Sequence, residues 1–125
     1  MIKALFATLA ALSLLSSPVG AAGVGPVQPK AYLIAEIAVT DAATYEGYKA
    51  AVAPLVAQFG GRYLARGGAS EAIEGDSVKG RVVVLEFPSA AAARSFLQSD
   101  DYGPVAAIRH KSATSRIIMV EGIAP

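Results

Sequence analysis

The chain has 125 residues, 54% of them hydrophobic and 17% charged, a balance that excludes intrinsic disorder and fits one well-buried core. Lys and Arg together number 11 against 10 Asp and Glu, with no basic run, so the electrostatic footprint of a nucleic-acid binder is missing. Cysteine is absent, which excludes disulfides, thiolate metal sites, a cysteine nucleophile and the lipid-modified cysteine of a bacterial lipoprotein.

The N-terminal segment has the order of a secretory signal. Lys3 supplies a positive start, Ala4 to Leu15 an apolar stretch, and Ser16 to Ala22 small residues suited to cleavage after Ala21 or Ala22. Residues 1–22 are therefore expected to be a signal peptide, and the mature protein to be periplasmic or extracellular. The apolar run is shorter than the roughly 20 residues that span a bilayer, so no membrane association is expected once the signal is removed. Residues 23–29, with two Gly and two Pro, read as an extended linker. Residues 30–125 form the folded domain.

Ala31 to Val39, rich in Tyr, Leu, Ile and Val, predicts a mostly buried first strand. Thr40 and Asp41 are suited to cap a helix in which Tyr45, Tyr48, Val52, Leu55, Val56 and Phe59 make one apolar stripe, ending at Gly60-Gly61. Pro54 lies inside it and predicts a kink or break near residue 53. Arg62 to Arg66 opens a second strand. Gly67-Gly68 interrupts it as a bulge, and extended structure is expected to resume through Ile73 before a turn at Gly75, Asp76 and Ser77. Arg81 to Phe87 predicts a third strand, whose run Val82 to Leu85 is apolar without alternation and implies that both sheet faces are covered. Ser89 caps a second helix with Phe96 and Leu97 on its core side. Asp100 to Gly103 breaks it, Pro104 starts a short third helix to about Lys111, and Arg116 to Glu121 predicts the last strand.

This order of strand, helix, strand, strand, helix, strand is the split βαβ repeat of ferredoxin-like α+β folds. Helices on one face leave the other open, and the two-sided apolar strands predict that a second copy covers it, making a homodimer.

Several groups at fixed spacing carry a resemblance over Lys30 to Ile123. They are Ala31-Tyr32-Leu33, Asp41 with Tyr45 and Tyr48, Gly60-Gly61-Arg62-Tyr63-Leu64 before Arg66-Gly67-Gly68, and Glu74-Gly75. Glu86-Phe87-Pro88-Ser89, Ala93 with Phe96, Ser99 with Tyr102, Arg109 and Val120-Glu121-Gly122 complete the set. The domain resembles the domain-of-unknown-function 1330 family, which implies a dimeric α+β barrel. The resemblance brings no activity, since similar barrels include cofactor-free monooxygenases, haem enzymes and isomerases. The signal segment is an addition to the family domain.

His110 is the only histidine, so a histidine-rich metal site within one subunit and a Ser-His-Asp triad are poor readings. It reads as an exposed residue at the end of a short helix, where a cation suits the dipole. No helix start or Lys-Ser/Thr follows Gly67-Gly68, so the pair is no phosphate cradle. No cofactor and no metal are expected.

Two constellations remain. Alternation puts Glu36 and Glu86 on one sheet face, with Arg66 expected opposite the end of strand three near Glu86. That pair reads either as an ion pair fixing the dimer seam or as polar anchors for a ligand. Tyr45 and Tyr48 on the first helix, with Tyr102 and Arg109 around the exit of the second, either hold a carboxylate, enolate or phenolate, or are core residues with Arg109 paired to Asp100 or Asp101.

The candidate ligand-binding residues are therefore Tyr48, Arg66, Glu86, Tyr102 and Arg109. Two functions follow: binding of a small anionic or aromatic organic ligand between sheet and helices, or a non-catalytic dimeric module. An enclosed cavity of ligand size separates them.

Overall fold

The computed structural model describes residues 26–125. The expected signal peptide and the start of the linker lie outside the described residues.

The elements run β1 (Ala31–Val39), α1 (Ala42–Gln58), β2 (Arg62–Arg66), β3 (Arg81–Phe87), α2 (Ala90–Gln98), α3 (Tyr102–Ser112) and β4 (Ala113–Glu121). The four strands form one antiparallel sheet in the order β2-β3-β1-β4, the ferredoxin-like α+β arrangement that the element order predicts.

Strand β1 alternates strictly. Ala31, Leu33, Ala35 and Ile37 are buried against the helices, while Tyr32, Ile34 and Glu36 lie half-buried on the opposite, open face. The β1–β3 register, Leu33 opposite Leu85 and Ile34 opposite Val84, carries the same division into β3. Val83, Leu85 and Phe87 point to the core and Val82, Val84 and Glu86 to the open face. Glu36 and Glu86 thus share a face, as alternation predicts.

Helix α1 starts at Asp41, whose carboxylate accepts from Thr44 N at 3.2 Å and from Thr44 Oγ1 at 2.6 Å. It buries Tyr45, Tyr48, Val52 and Val56 and passes Pro54 without a break. Pro54 and Ala50 are both on the exposed side, so the carbonyl that loses its partner is on the solvent side, where it is not buried unsatisfied. At the far end Gly60, with φ 78, turns the chain in the left-handed region that glycine enters without strain, and Gly61 N donates to Val56 O at 2.9 Å.

The hairpin differs from expectation in two ways. The register shift lies between Tyr63 and Ala65, which makes Leu64 the extra residue and not Gly67-Gly68. Extended pairing also does not resume through Ile73. With β3 beginning only at Arg81, residues 68–73 have no strand opposite them, and Ile73 is 86% exposed.

Ser89 Oγ caps α2 by accepting from Ala92 N at 3.1 Å. Helix α3 starts at Tyr102, earlier than its Pro104 suggests. Proline is tolerated there because the first-turn N–H groups have no intrahelical acceptor. Ser99 Oγ receives Tyr102 N at 3.2 Å. The chain passes from α3 straight into β4, which begins at Ala113 opposite Val39, three residues before the expected Arg116. Unbroken pairing with β1 makes the polar Thr114 and Ser115 extended.

The core is aromatic. Phe96 stacks on Phe87 at 5.3 Å and lies 4.6 Å from Tyr102 between ring centroids. All of the helices among the described residues pack on one face of the sheet.

Candidate functional site

Between α1 and the sheet lies a narrow cavity of about 40 Å³. Its floor is the apolar row Leu33, Ala35 and Ile37. Tyr45 and Tyr48 descend from α1 with ring centroids 5.3 Å apart, Tyr102 comes from α3, and Tyr63, Arg66 and Arg81 close the side nearest β2. The chemistry is one-sided: several phenols, two guanidinium groups and the Lys49 ammonium line the cavity, and no carboxylate does. On the scale of about 10–15 Å³ per water, the closed interior holds a few waters or a compact group and no aromatic ring.

The mouth is built by stacking. Arg66 lies 4.4 Å from the Tyr63 ring centroid and donates to Lys49 O at 3.1 Å. Arg81 donates to Tyr45 Oη at 2.8 Å and to Arg66 O at 3.1 Å. Gly67, with φ 71, lets the chain turn beneath Arg81: a Cβ there would lie 2.5 Å from the guanidinium. Lys49 completes the mouth and pairs with Glu46 at 2.7 Å. Outside it, Lys49, Arg66 and Arg81 continue into an open surface groove with Glu46, Ala50 and Ala53. Three cations and one carboxylate therefore face an approaching ligand.

Behind the inner wall stands Arg109, only 6% exposed. Its Nη1 donates to Ser115 Oγ, its Nη2 reaches Tyr102 Oη at 3.4 Å and lies 3.5 Å from His110 Nε2, and its charge sits 5.8 Å from the Tyr48 ring centroid. Nε has no partner among the described residues. Neither Asp100 nor Asp101 pairs with it; the ion pairs among the described residues join Lys30 and Arg62 to Glu86, and Lys49 to Glu46. Burial pushes the Tyr48 phenol up, helped by neighbouring Tyr102 and Tyr45 and opposed by Arg109. Tyr63 is raised too, again chiefly by burial and against the pull of Arg66.

The five sequence candidates therefore separate. Tyr48 and Tyr102 line the cavity, Arg66 guards its mouth and Arg109 stands behind. Glu86 lies on the other face of the sheet, where Arg62 Nε at 2.9 Å and Lys30 Nζ at 3.3 Å bind its Oε1. The expected Arg66–Glu86 proximity is corrected by the register. Arg62 stands opposite Glu86, and the bulge at Leu64 moves Arg66 to Val83 on the helix side. Arg81, Lys49 and Tyr63 were not picked out as site residues. Arg81 was legible, because it lies two residues before core-facing Val83 and so shares its face.

A search of curated proteins finds no match, whereas the match to a family described as a domain of unknown function (DUF1330) spans residues 30–123. The chain belongs to this DUF1330 family. Solved structures agree with the fold of the DUF1330 domain. A protein of unknown function from Rhodopseudomonas palustris is 17% identical, with 81% of this chain and 88% of that one covered and a TM-score of 0.65. A hypothetical Arabidopsis thaliana protein is 12% identical over 82% of this chain and 96% of its own, with a TM-score of 0.58. SnoaB, a cofactor-independent oxygenase from Streptomyces nogalater, is 17% identical over 76% and 94%, with a TM-score of 0.52. At such identities the likeness concerns the fold and not the reaction.

Proposed function

We propose that this DUF1330 protein is an exported homodimer that binds a small organic acid where the sheet–helix cavity opens between Lys49, Arg66 and Arg81. The observation that carries this reading is the makeup of the cavity and its mouth: stacked tyrosine and arginine side chains, no carboxylate lining the cavity, and at the mouth three cations against the single carboxylate of Glu46. An arginine fork matches a carboxylate in shape and charge, and tyrosine faces accept an apolar or aromatic body. Since the closed interior is too small for a ring, the body of the ligand rests in the groove and among the mouth side chains. Arg66 is exposed, so a ligand acid can reach its guanidinium in place of its hydrogen bond to Lys49 O.

Export rests on the sequence of residues 1–22. Dimerisation rests on the open sheet face, where Ile34, Val84 and Ile118 form one apolar row beside Tyr32 and Val120. Ile118 is 43% and Val120 46% exposed, and a second copy of the same face would cover them. No chemical step is assigned. The cofactor-independent oxygenase SnoaB shares the fold alone.

The narrowness of the interior favours a second reading, a non-catalytic dimer in which the polar set only stiffens the domain. Native mass spectrometry of protein purified from the export compartment separates the two. A co-purified acid released by exchange of Arg66 supports binding, and a bare dimer that no aromatic or aliphatic acid shifts in thermal unfolding supports the structural module.

A further inference from the structure

Arg109 presents a problem that the mouth does not. It is a guanidinium 6% exposed, held by the Ser115 and Tyr102 hydroxyls, with one nitrogen unpartnered and no acid paired to it among the described residues. A buried charge of this kind is normally compensated by an ion pair, because desolvation costs more than neutral hydrogen bonds return. The groups around it from each packed element are Tyr48 on α1, Tyr102 and His110 on α3, and Ser115 on β4. None is a carboxylate.

The hydrogen bonds give these neighbours a direction. Tyr102 Oη accepts from Arg109 Nη2, which leaves the Tyr102 hydrogen free to donate elsewhere. Tyr102 is also a wall of the cavity. The cavity therefore has in its wall a tyrosine whose oxygen is held by a buried guanidinium at 3.4 Å, and a volume of about 40 Å³ that suits a few-atom anion.

We propose that Tyr102, backed by Arg109, forms an inner subsite for a compact monoanion: an inorganic anion, or the carboxylate of a very small acid. The bound anion accepts the Tyr102 hydroxyl and supplies the counter-charge that the protein does not. The identity of any larger organic ligand rests on the mouth reading above; the inner subsite rests on Arg109 and Tyr102, and the two are tested apart.

Formate and nitrate serve as probes, with sulfate as a bulkier control, added at constant ionic strength to the purified protein in chloride-free buffer. Formate and nitrate are expected to raise the unfolding temperature with saturation, and sulfate much less. Arg109→Leu should abolish the saturating response, and Tyr102→Phe should raise the half-saturating concentration roughly tenfold or more, the loss of one hydrogen bond to a charged group. If Arg109→Leu does not fold, Tyr102→Phe carries the comparison, together with the anomalous signal of bromide soaked into crystals, expected beside Tyr102. A non-saturating response, an equal response in Tyr102→Phe, or bromide bound elsewhere overturns the subsite. Benzoate tested in parallel separates the readings. A shift by benzoate that depends on Arg66 with no formate saturation keeps the mouth and removes the inner subsite, and the reverse result removes the mouth alone.

Discussion

Arg62 Nε binds Glu86 Oε1 at 2.9 Å directly across the β2–β3 ladder, and Lys30 approaches the same oxygen at 3.3 Å. The Arg62 hydrogen bond, helped by Lys30 and opposed by burial, holds the Glu86 carboxyl below the usual carboxylate range. A carboxylate depressed in the folded state stabilises the fold above its unfolded value, about 4.3 for Glu, and that stability disappears as pH falls through the folded value. Urea unfolding from neutral to acid pH should show stability falling below that value, and Glu86→Gln should flatten part of the fall. An unchanged slope in the variant would remove Glu86 from the acid response.

Phe96 is 2% exposed and packed between Phe87 and Tyr102, so Phe96→Ala should cost about 3–5 kcal/mol of stability. Phe96 also lines the cavity. Removal of its ring enlarges the space, and an uncharged arene such as benzene is expected to recover part of the lost stability in the variant and none in the wild type. Thermal unfolding with and without benzene measures both effects.

The strands and helices were legible where one face is buried. The apolar positions of β1 and α1 recur at periods of two and of three to four, and the structure follows them. What stayed hidden depends on pairing. Nothing in Arg62 to Arg66 marks Leu64 as the bulged residue, yet that one insertion decides which arginine meets Glu86 and which meets the cavity. Ala113 to Ser115 carries no strand signal of its own and is extended because β1 lies alongside. At the candidate site, the tyrosine and arginine types singled out Tyr48, Tyr102 and Arg66, which the structure brings to one cavity and its mouth. The missing acid beside Arg109 was invisible, because Asp100 and Asp101 are close in sequence and make no pair with it.

The open sheet face sets the next expectation. Ile118→Arg puts a charge in the middle of the apolar row but on a residue already 43% exposed, so the single subunit should keep its far-ultraviolet dichroism. Light scattering should give a dimer for the wild type at micromolar concentration and a monomer for the variant, since an unpaired charge in a dry seam is strongly unfavourable. A wild-type protein that is monomeric under these conditions contradicts the proposed assembly.

Arg66→Gln tests the mouth with little risk to the fold, because Arg66 is exposed and such substitutions typically change stability by no more than about 0.5 kcal/mol. Benzoate and similar acids should bind the variant about tenfold or more weakly, as expected when a charged hydrogen-bond partner is removed. Calorimetric titration at low and at high salt gives the comparison. A wild-type affinity independent of both salt and Arg66 would place any bound acid elsewhere.

Tyr48 gives the alkaline counterpart of Glu86. Burial, reinforced by Tyr102 and Tyr45 and only partly offset by Arg109, raises its phenol above the ordinary tyrosine value of 10.0. A raised folded value means that the neutral phenol is favoured by folding, so the stability it contributes is complete below about pH 10, the unfolded value. That contribution decreases as pH rises from there towards the folded value, because the unfolded chain ionises first. Ultraviolet titration of phenolate absorbance should therefore show a Tyr48 component that appears only together with loss of structure. In Tyr48→Phe the late component should shrink and the alkaline loss of stability should become shallower, while neutral-pH stability shifts little because the ring still fills its place against Tyr45. If Tyr48 instead ionises near the ordinary tyrosine value while the protein stays folded, the interior around Arg109 is wetter than the packing implies, and water would already occupy the inner subsite.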